Sequence, residues 1–424
     1  MVAGVKTGTV LLGFVLLLGC APGEPPPIRV TIIGVDGATW RVIDPLLAQG
    51  ALPNLAELLE RGVRAPLRSR APLVSPPVWT TIATGKLRAE HGITEFHTKG
   101  ALVSSRDRRV PALWNLLSRA GRRVAVIGWW ATYPAEHVDG VIISERALKT
   151  READIKALFR RRLQPSQATA LAYPPETLEL LAAHLGDAPP LEGVDEKGKT
   201  IETMRVEDAA VTHALLALRA QGRPFDLEMI LLRGVDPVSH FFWKYLEPDD
   251  PAYAEAERPS PEEVAQFANV IPDHYRWVDG LIAKLVADDP SRVFVILSDH
   301  GFEAGQQRFH TGTILSGTHK TEAAQDGVLV LAGGPIRRGA ALDQSAIEDV
   351  TPTVLHLLGL EVARDFAGRV LEDAIDDDWA ASHPIAWIDA YPGPAGDLPE
   401  AREPSVPAVD ERLREELRAL GYIE

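Results

Sequence analysis

Short apolar runs that alternate with helical segments constrain the fold of this chain most strongly. Runs that are apolar at nearly every position are typical of strands buried on both faces of a parallel sheet. We predict such strands at residues 29–35, 63–67, 124–129, 141–144, Leu227–Leu232, Val293–Leu297 and 328–331. Strands of this composition separated by helices predict an α/β fold with a doubly wound, mostly parallel central sheet and helices on both faces.

The helices between these runs are marked by amphipathic spacing and by glycine or proline at their ends. We predict helices at Pro53–Glu60, 114–120, 201–220, 262–286 with an interruption at Pro272, 347–358 and 409–420. Residues 150–200 are charged and weakly periodic, and we interpret them as an insertion or lid outside the sheet.

Polar residues follow three of the predicted strands directly. Asp36 ends the first run, Asp236 and His240 follow the strand at 227–232, and Asp299 and His300 follow the strand at 293–297. Functional groups collect at the carboxyl ends of parallel strands, although an aspartate such as Asp36 could also simply cap a turn.

A later loop adds His319 to this set. Mixed aspartate and histidine ligands suit Zn²⁺ or a similar transition ion better than Ca²⁺ or Mg²⁺. Asp236 and His240 are four residues apart, so both can face one ion across a helical turn. The pair Asp236 and His240 and the pair Asp299 and His300 are each weak evidence alone, but together they predict a metal site.

Ser75 is the candidate nucleophile, because it stands where a loop meets a predicted helix that runs toward Gly85. Pro76 and Pro77 follow it, and proline is tolerated in the first turn of a helix. The positive end of the helix and its free amides would then face an anionic group such as phosphate. The alternative is that Ser75 only caps the helix.

The charge balance argues against a nucleic-acid polymer as partner. The chain carries 44 basic and 59 acidic residues, for a formal net charge of −15. A polyanion would therefore be repelled on average. Its composition, 46% hydrophobic and 24% charged, is that of a globular protein.

Residues 1–20 have the pattern of a targeting segment. Lys6 precedes an apolar run at 11–18 that is short for a membrane span, and Cys20, the only cysteine, closes it. This resembles a bacterial lipoprotein signal with Cys20 as the lipidated residue; an ordinary secretory signal is the alternative. Either way we expect an extracytoplasmic protein. With the lipoprotein signal, a lipid on Cys20 would anchor the protein to the membrane, and a proline-rich spacer at 21–28 would hold its body away from the membrane surface.

As an ordered set, the motifs resemble the alkaline phosphatase superfamily, and most closely its type I phosphodiesterase/nucleotide pyrophosphatase branch. The motifs are Asp36, Ser75, His91-Gly92-Ile93, Asp236-x-x-x-His240, Ser298-Asp299-His300-Gly301 and Gly317-Thr318-His319. The similarity spans residues 29 to 370, so we expect a catalytic domain at 29–375 that contains the insertion, and a C-terminal extension at 376–424.

The resemblance implies two divalent metal ions, with zinc as the favoured ion, and a small phosphate ester as substrate. It assigns one metal to Asp36, Ser75, Asp299 and His300, and the other to Asp236, His240 and His319. Ser75 would be both ligand and nucleophile and would form a phospho-enzyme intermediate. His310 is the less favoured substitute for His319.

Two residues near Ser75 depart from the relatives. Val78 stands where many members of the branch carry an asparagine that binds phosphate, and Trp79 stands where sulfatases carry arginine. Sulfatase activity is therefore disfavoured, and an extracytoplasmic location disfavours the related phosphoglycerate mutases. We expect a phosphodiesterase, with a phosphomonoesterase or phosphonate hydrolase, or a non-catalytic binding scaffold, as alternatives. Specificity should lie in residues 95–110, the aromatic loop 129–134 and the insertion.

Overall fold

The computed structural model describes most of the chain from the first predicted strand onward. The described residues are 27–98, 100–150, 165–184, 196–287, 289, 292–308, 314–393 and 407–423. The targeting segment, Cys20, nearly all of the proline-rich spacer, parts of the insertion and His310 lie outside them. Within the described ranges, none of the helices has the length and apolar character needed to cross a membrane.

A nine-stranded sheet forms the centre of the protein. Its order is β13-β2-β12-β9-β1-β8-β5-β6-β7. The strands of the described chain are β1 Val30–Val35, β2 Gly62–Arg68, β3 His97–Thr98, β4 Ala101–Leu102, β5 Val124–Ile127, β6 Gly140–Ile143, β7 Ala172–Tyr173, β8 Leu227–Leu232, β9 Val293–Leu297, β10 Glu303–Arg308, β11 Ile314–Thr318, β12 Asp326–Ala332, β13 Ala340–Ala341, β14 Val362–Ala363 and β15 Trp387–Ile388.

The middle of the sheet is parallel, as the apolar runs predict. Strand β1 pairs in parallel with β8 on one side and β9 on the other, and β5 pairs in parallel with β8 and β6. Strand β12 is antiparallel to both β9 and β2, and β7 is antiparallel to β6. Because β7 belongs to residues 150–200 and forms one edge of the sheet, the expectation that this whole segment lies outside the sheet is wrong. The prediction of a mostly parallel central sheet is confirmed.

Helices cover both faces of this sheet. The helices of the described chain are α1 Trp40–Ala48, α2 Pro53–Glu60, α3 Ser75–Thr84, α4 Arg88–His91, α5 Leu113–Arg119, α6 Pro165–Leu171, α7 Leu178–His184, α8 Glu196–Ala220, α9 Val235–Leu246, α10 Pro261–Phe267, α11 Val270–Ala287, α12 Val350–Leu357, α13 Asp377–Ser382 and α14 Pro407–Ala419.

The alternation of side chains along β1 divides the core into two layers. Val30 and Ile32 belong to the layer that contains α3, α5 and α12, whereas Ile33 and Val35 belong to the layer that contains α1, α2 and α8. All four side chains are at most 4% exposed, and full burial of an aliphatic side chain contributes about 1.5–3 kcal/mol. The apolar character of the run therefore follows from burial on both faces.

The predicted helix at 262–286 needs a correction. We expected an interruption at Pro272, but the break falls earlier, between the end of α10 at Phe267 and the start of α11 at Val270. Pro272 is in the first turn of α11, where its missing N–H costs no intrahelical hydrogen bond.

Candidate metal centre

Three neighbouring strands of the sheet deliver the predicted ligands to one edge. Asp36 follows β1, Asp299 and His300 follow β9, and Asp236 lies in the first turn of α9, four residues after β8 ends. Since β1 lies between β8 and β9, the carboxyl ends of the three strands are adjacent. His319 comes from a different place, directly after β11 of the β10–β11 hairpin.

One half of the site is made by Asp36, Asp299 and His300, which offer ligand atoms within 4.8 Å of one another. The His300 Nε2 is 3.6 Å from Asp36 Oδ1 and 3.5 Å from Asp299 Oδ2. The second oxygen of each carboxylate is used elsewhere: Asp36 Oδ2 accepts from Trp79 Nε1 at 3.2 Å, and Asp299 Oδ1 accepts from the Gly37 amide at 3.2 Å. Each side chain is thus held with one atom directed at the others.

Gly37 is required by this arrangement. Its φ of 72° lies in the left-handed region that favours glycine, and a Cβ there would meet Asp236 Cα at 3.1 Å. The turn after β1 therefore brings the Gly37 backbone close to the side chains of Asp236 and Asp299.

The other half is made by Asp236, His240 and His319. Asp236 Oδ1 is 3.5 Å from His240 Nε2 and 3.9 Å from His319 Nε2, and 4.0 Å from His300 Nε2 in the first half. The rings of His300 and His319 stack with their centres 4.0 Å apart. The two halves are therefore continuous, and we call the six residues the Asp/His cluster: Asp36, Asp236, His240, Asp299, His300 and His319.

The tautomers of two histidines are set by backbone carbonyls. His240 Nδ1 lies 2.9 Å from the Gly317 carbonyl oxygen, and His300 Nδ1 lies 3.0 Å from that of Gly301. A carbonyl oxygen can only accept, so Nδ1 carries the proton in each ring and Nε2 presents a lone pair to the cluster. Outer hydrogen bonds of this kind are those that orient histidine ligands toward a metal.

Several acceptor atoms of the cluster have no hydrogen-bond partner, and they indicate whether a cation fits there. Asp36 Oδ1, Asp236 Oδ1, Asp299 Oδ2 and His300 Nε2 are buried without a hydrogen-bond partner. Buried polar atoms are nearly always satisfied, so four converging orphaned acceptors indicate a place for positive charge. Oxygen and imidazole donors together suit Zn²⁺ or a related ion. The residues fit the metals that the resemblance implies.

Burial shifts the pKa values of four cluster residues in the direction that favours their neutral forms. It raises the pKa of Asp299 to about 8, and it raises the pKa of Asp36, with further increases from the charges of Asp299 and Asp236. Burial also lowers the pKa of His240 and, together with His300, the pKa of His319. Neutral histidines are ready to bind a cation, whereas the protonated carboxylates must lose protons when one binds.

Ser75 is the first residue of α3 and is 3% exposed. The prediction of a helix from this point to Gly85 is confirmed, and Gly85 ends it with a φ of 64°. Trp79 is four residues further on, so it lies on the same face of α3 as Ser75. Because Trp79 donates to Asp36, this face of the helix is turned toward the cluster.

The first turn of α3 offers fewer free amides than we expected. Pro76 and Pro77 have no N–H, and the Val78 amide donates to the Val74 carbonyl at 3.2 Å. Only the amide of Ser75 is left in this turn for an anion. The expectation of several free amides beside the serine oxygen is wrong, and the end of the helix acts through its dipole and this one N–H.

Sequence reasoning missed one residue that reaches the cluster. Tyr422, beyond the C-terminal helix α14, places its hydroxyl 2.8 Å from Asp236 Oδ2, 2.9 Å from His240 Nε2 and 3.1 Å from His319 Nε2. The apolar spacing of 409–420 predicts a helix that docks on the core, but it contains no signal for where the next residues go.

Two aromatic contacts join the loop at 129–134 to this region. Trp129 packs edge-on against Trp79 with ring centres 4.9 Å apart, and Trp130 packs edge-on against Phe96. Phe96 in turn lies 5.0 Å from the ring of Tyr422. Both tryptophans are buried, so this part of the loop packs in the core against Trp79 and Phe96.

One family of known proteins matches most of the chain. The sequence profile of the family described as type I phosphodiesterase / nucleotide pyrophosphatase matches residues 30–385. No curated protein is a significant match in sequence.

The fold is similar to those of solved hydrolases. Murine ectonucleotide pyrophosphatase / phosphodiesterase 5, as an inactive variant in complex with AMP, is 12% identical with a TM-score of 0.53, covering 82% of this chain and 100% of that chain. A putative sulfatase from Bacteroides thetaiotaomicron is 13% identical with a TM-score of 0.51, covering 82% of this chain and 74% of that chain. At sequence identities of 12% and 13%, these similarities show a shared fold.

Proposed function

The chain belongs to the type I phosphodiesterase/nucleotide pyrophosphatase family and is a hydrolase acting on phosphoester bonds, and from this we propose that it hydrolyses small phosphodiesters with Ser75 as nucleophile. In this proposal Asp36, Ser75, Asp299 and His300 hold one divalent metal ion. Asp236, His240 and His319 hold a second. Zinc is the ion that the donor set favours.

The observation that carries the proposal is the convergence of the Asp/His cluster. Its six residues are separated by up to 283 positions in sequence, from 36 to 319, yet their side chains meet in one buried place. Burying three carboxylates together is unfavourable unless cations or protons compensate them. A purely structural role would not require this arrangement.

In this proposal Ser75 attacks a phosphorus atom held at the cluster. It starts α3, whose positive end favours an anionic group beside the serine hydroxyl. Two bound divalent ions would supply Lewis-acid stabilisation of the attacking and leaving oxygens and of the serine alkoxide. Val78 is buried in the first turn of α3, so the asparagine-type phosphate contact of relatives has no counterpart at that position.

The test compares Ser75→Ala with the parent on bis-p-nitrophenyl phosphate and on p-nitrophenyl phosphate. We expect the parent to prefer the diester, and we expect Ser75→Ala to lose at least about 10³-fold in kcat while it retains two zinc ions per chain by elemental analysis. Ser118→Ala is the matched control, because the Ser118 hydroxyl accepts from the Asp139 amide, in a different part of the protein. It should retain full activity.

The same assay separates the alternatives. Faster turnover of the monoester would identify a phosphomonoesterase at the same site. A phosphonate ester offered as a third substrate tests the phosphonate hydrolase alternative in the same way. A Ser75→Ala variant as active as the parent would contradict the proposed nucleophile. Absence of metal and of turnover in the parent would favour a binding scaffold.

We further propose that the protein is extracytoplasmic and anchored to a bacterial membrane through a lipid on Cys20. The support is the position of the only cysteine, which follows Gly19 at the end of the apolar run at 11–18. Cys20→Ser should move the protein from the membrane to the soluble fraction and abolish incorporation of a radiolabelled fatty acid. Incorporation that persists in the variant would refute the anchor.

A further inference from the structure

The hydroxyl of Tyr422 lies among the side chains that we assign to the second metal. Its distances to Asp236 Oδ2, His240 Nε2 and His319 Nε2 are 2.8, 2.9 and 3.1 Å. It therefore touches every protein ligand that we assign to that ion. A tyrosine that only fills space would not be expected to direct its one polar atom at all three.

The position of Tyr422 is determined by the docking of α14. Asp410 pairs with Arg146 at 2.8 Å, and Glu416 contacts Lys149 and, at 3.5 Å, Arg233. All three cations are at most 6% exposed. These buried ion pairs give the helix one orientation on the protein.

Apolar contacts complete this docking. Leu413 and Leu417 are at most 2% exposed in the core layer that includes α3, and Leu420 is buried in the other layer. Gly421 then reverses the chain with a φ of 68°, and the ring of Phe96 lies against that of Tyr422. The tyrosine is therefore built into the site.

The hydroxyl cannot satisfy its three neighbours by hydrogen bonding alone. Its single proton serves Asp236 Oδ2. His240 Nε2 carries no proton, because the Nδ1 of that ring donates to the Gly317 carbonyl, so a lone pair of the imidazole faces the tyrosine oxygen. A cation bound between these atoms would convert this unfavourable contact into shared coordination.

These distances are compatible with a ligand role for the tyrosine oxygen. Ligands of tetrahedral zinc lie at about 2.0–2.2 Å from the metal, which places them about 3.3–3.6 Å from one another. The three contacts, at 2.8–3.1 Å, are hydrogen-bond distances and are a few tenths of an ångström shorter than this separation, so a small outward movement of the oxygen would bring it into the coordination shell. Zinc can also expand to five ligands, which leaves room for a substrate oxygen.

We propose that Tyr422 is a fourth protein ligand of the metal held by Asp236, His240 and His319. The inference rests on the proposed dimetal function, and it makes the C-terminal segment part of the metal centre. The chain beyond residue 385, where the family match ends, then contributes directly to the site.

The test measures metal binding to the metal-free full-length protein, with competition against a chromophoric chelator for Zn²⁺ and the visible spectrum of bound Co²⁺. Loss of an outer-shell partner typically weakens metal binding about 10- to 100-fold, so loss of a ligand should cost at least as much. We expect Tyr422→Phe to weaken one of two zinc sites by at least about 10-fold, to leave the other unchanged and to alter the cobalt spectrum. Tyr422→His, which restores a donor atom, should recover part of the affinity.

Tyr391→Phe is the matched control, because the Tyr391 hydroxyl donates to the Glu361 carbonyl on a different part of the surface. It should bind both ions as the parent does. The unchanged site in Tyr422→Phe also verifies that the variant is folded.

Equal affinities and equal cobalt spectra for Tyr422→Phe and the parent would overturn the inference. If the parent then still bound two ions and hydrolysed a diester, the proposed function would stand and only the role of Tyr422 would fail. A parent that bound no metal would overturn both.

Discussion

The indole Nε1 of Trp79 donates a 3.2 Å hydrogen bond to Oδ2 of Asp36, and this bond ties α3 to the end of β1. Trp79 is fully buried and stands four residues after Ser75 on the same face of the helix. One contact thus sets both the orientation of a proposed metal ligand and the position of the proposed nucleophile. Trp79, which stands where sulfatases carry arginine, therefore has a structural role as the hydrogen-bond donor to Asp36.

Trp79→Phe should therefore weaken metal binding while it keeps an aromatic ring in place. Without the indole donor, Asp36 loses the bond that directs its other oxygen toward Asp299 and His300. We expect the zinc affinity of that half of the site to fall about 10- to 100-fold in a chelator competition assay. Trp40→Phe, which removes an indole bond to the Ala65 carbonyl instead, is the control and should bind as the parent does. Equal affinity in both variants would rule out the orienting role.

Gly34→Ala should disturb the same contact from the strand side. A Cβ at this position would lie 2.7 Å from ring atoms of Trp79 and 2.8 Å from Leu231 Cδ1, which is closer than real Cβ contacts. Overpacking of a filled core costs about 1–3 kcal/mol. We expect the free energy of unfolding in urea to fall by this amount, and zinc affinity to fall as the indole moves.

Gly280→Ala is the matched control for that substitution. Gly280 lies in the interior of α11, where an added Cβ would meet no other atom within 4 Å, and alanine is the better helix former by up to about 1 kcal/mol. The control should therefore be slightly more stable than the parent. Destabilisation of equal size at both positions would show that steric contact with Trp79 is not the cause.

Much of the fold follows from the sequence because burial imposes a pattern. Strands β8 and β9 lie at the predicted residues, because a short run that is apolar at nearly every position is best buried in the middle of a sheet. The β10–β11 hairpin was not predicted, because its residues alternate weakly and include glycine and glutamine. His319 follows that hairpin directly, so only its motif located it in advance.

The three aspartates of the cluster could be predicted from the sequence, whereas Tyr422 could not. Asp36, Asp236 and Asp299 follow strands whose ends must share one edge of the sheet, so their meeting is a consequence of topology. Tyr422 arrives through the docking of α14 by ion pairs with distant residues such as Arg146. Long-range pairing of this kind leaves no periodic signal in one sequence.

Removal of the metals should destabilise the protein. Ligands that bind only the folded state stabilise it by about 2.7 kcal/mol at a concentration about 100 times the Kd, so a chelator should lower Tm and added Zn²⁺ should restore it. Addition of Zn²⁺ to the metal-free protein in weak buffer near neutral pH should also release protons, because Asp299, whose pKa burial raises to about 8, must ionise to bind. An unchanged Tm with and without chelator would contradict the assigned site.

Acid should destabilise the protein in part through His91. Burial, with Arg88 and Arg108, lowers the pKa of His91 to about 3 from 6.5. The neutral ring is held at both nitrogens, since Nδ1 accepts from the Ile93 amide at 3.1 Å and Nε2 lies 3.1 Å from the Thr81 hydroxyl. A base with a depressed pKa in the folded state binds fewer protons than the unfolded chain does between about pH 3 and 6.5. Its contribution to stability is therefore complete above about pH 6.5 and is lost as the pH falls toward about 3.

His91→Gln should accordingly flatten the acid side of the stability curve. Between about pH 6.5 and pH 4.5 the parent should lose on the order of 2 kcal/mol more of its free energy of unfolding than the variant does, measured by urea titration at each pH. Carboxylates that titrate in this range are shared by both proteins and cancel in the comparison. His383→Gln is the control, because His383 is exposed, and it should follow the parent at every pH. If His91→Gln and the parent lost equal stability over this range, the buried neutral imidazole would not be a source of acid sensitivity.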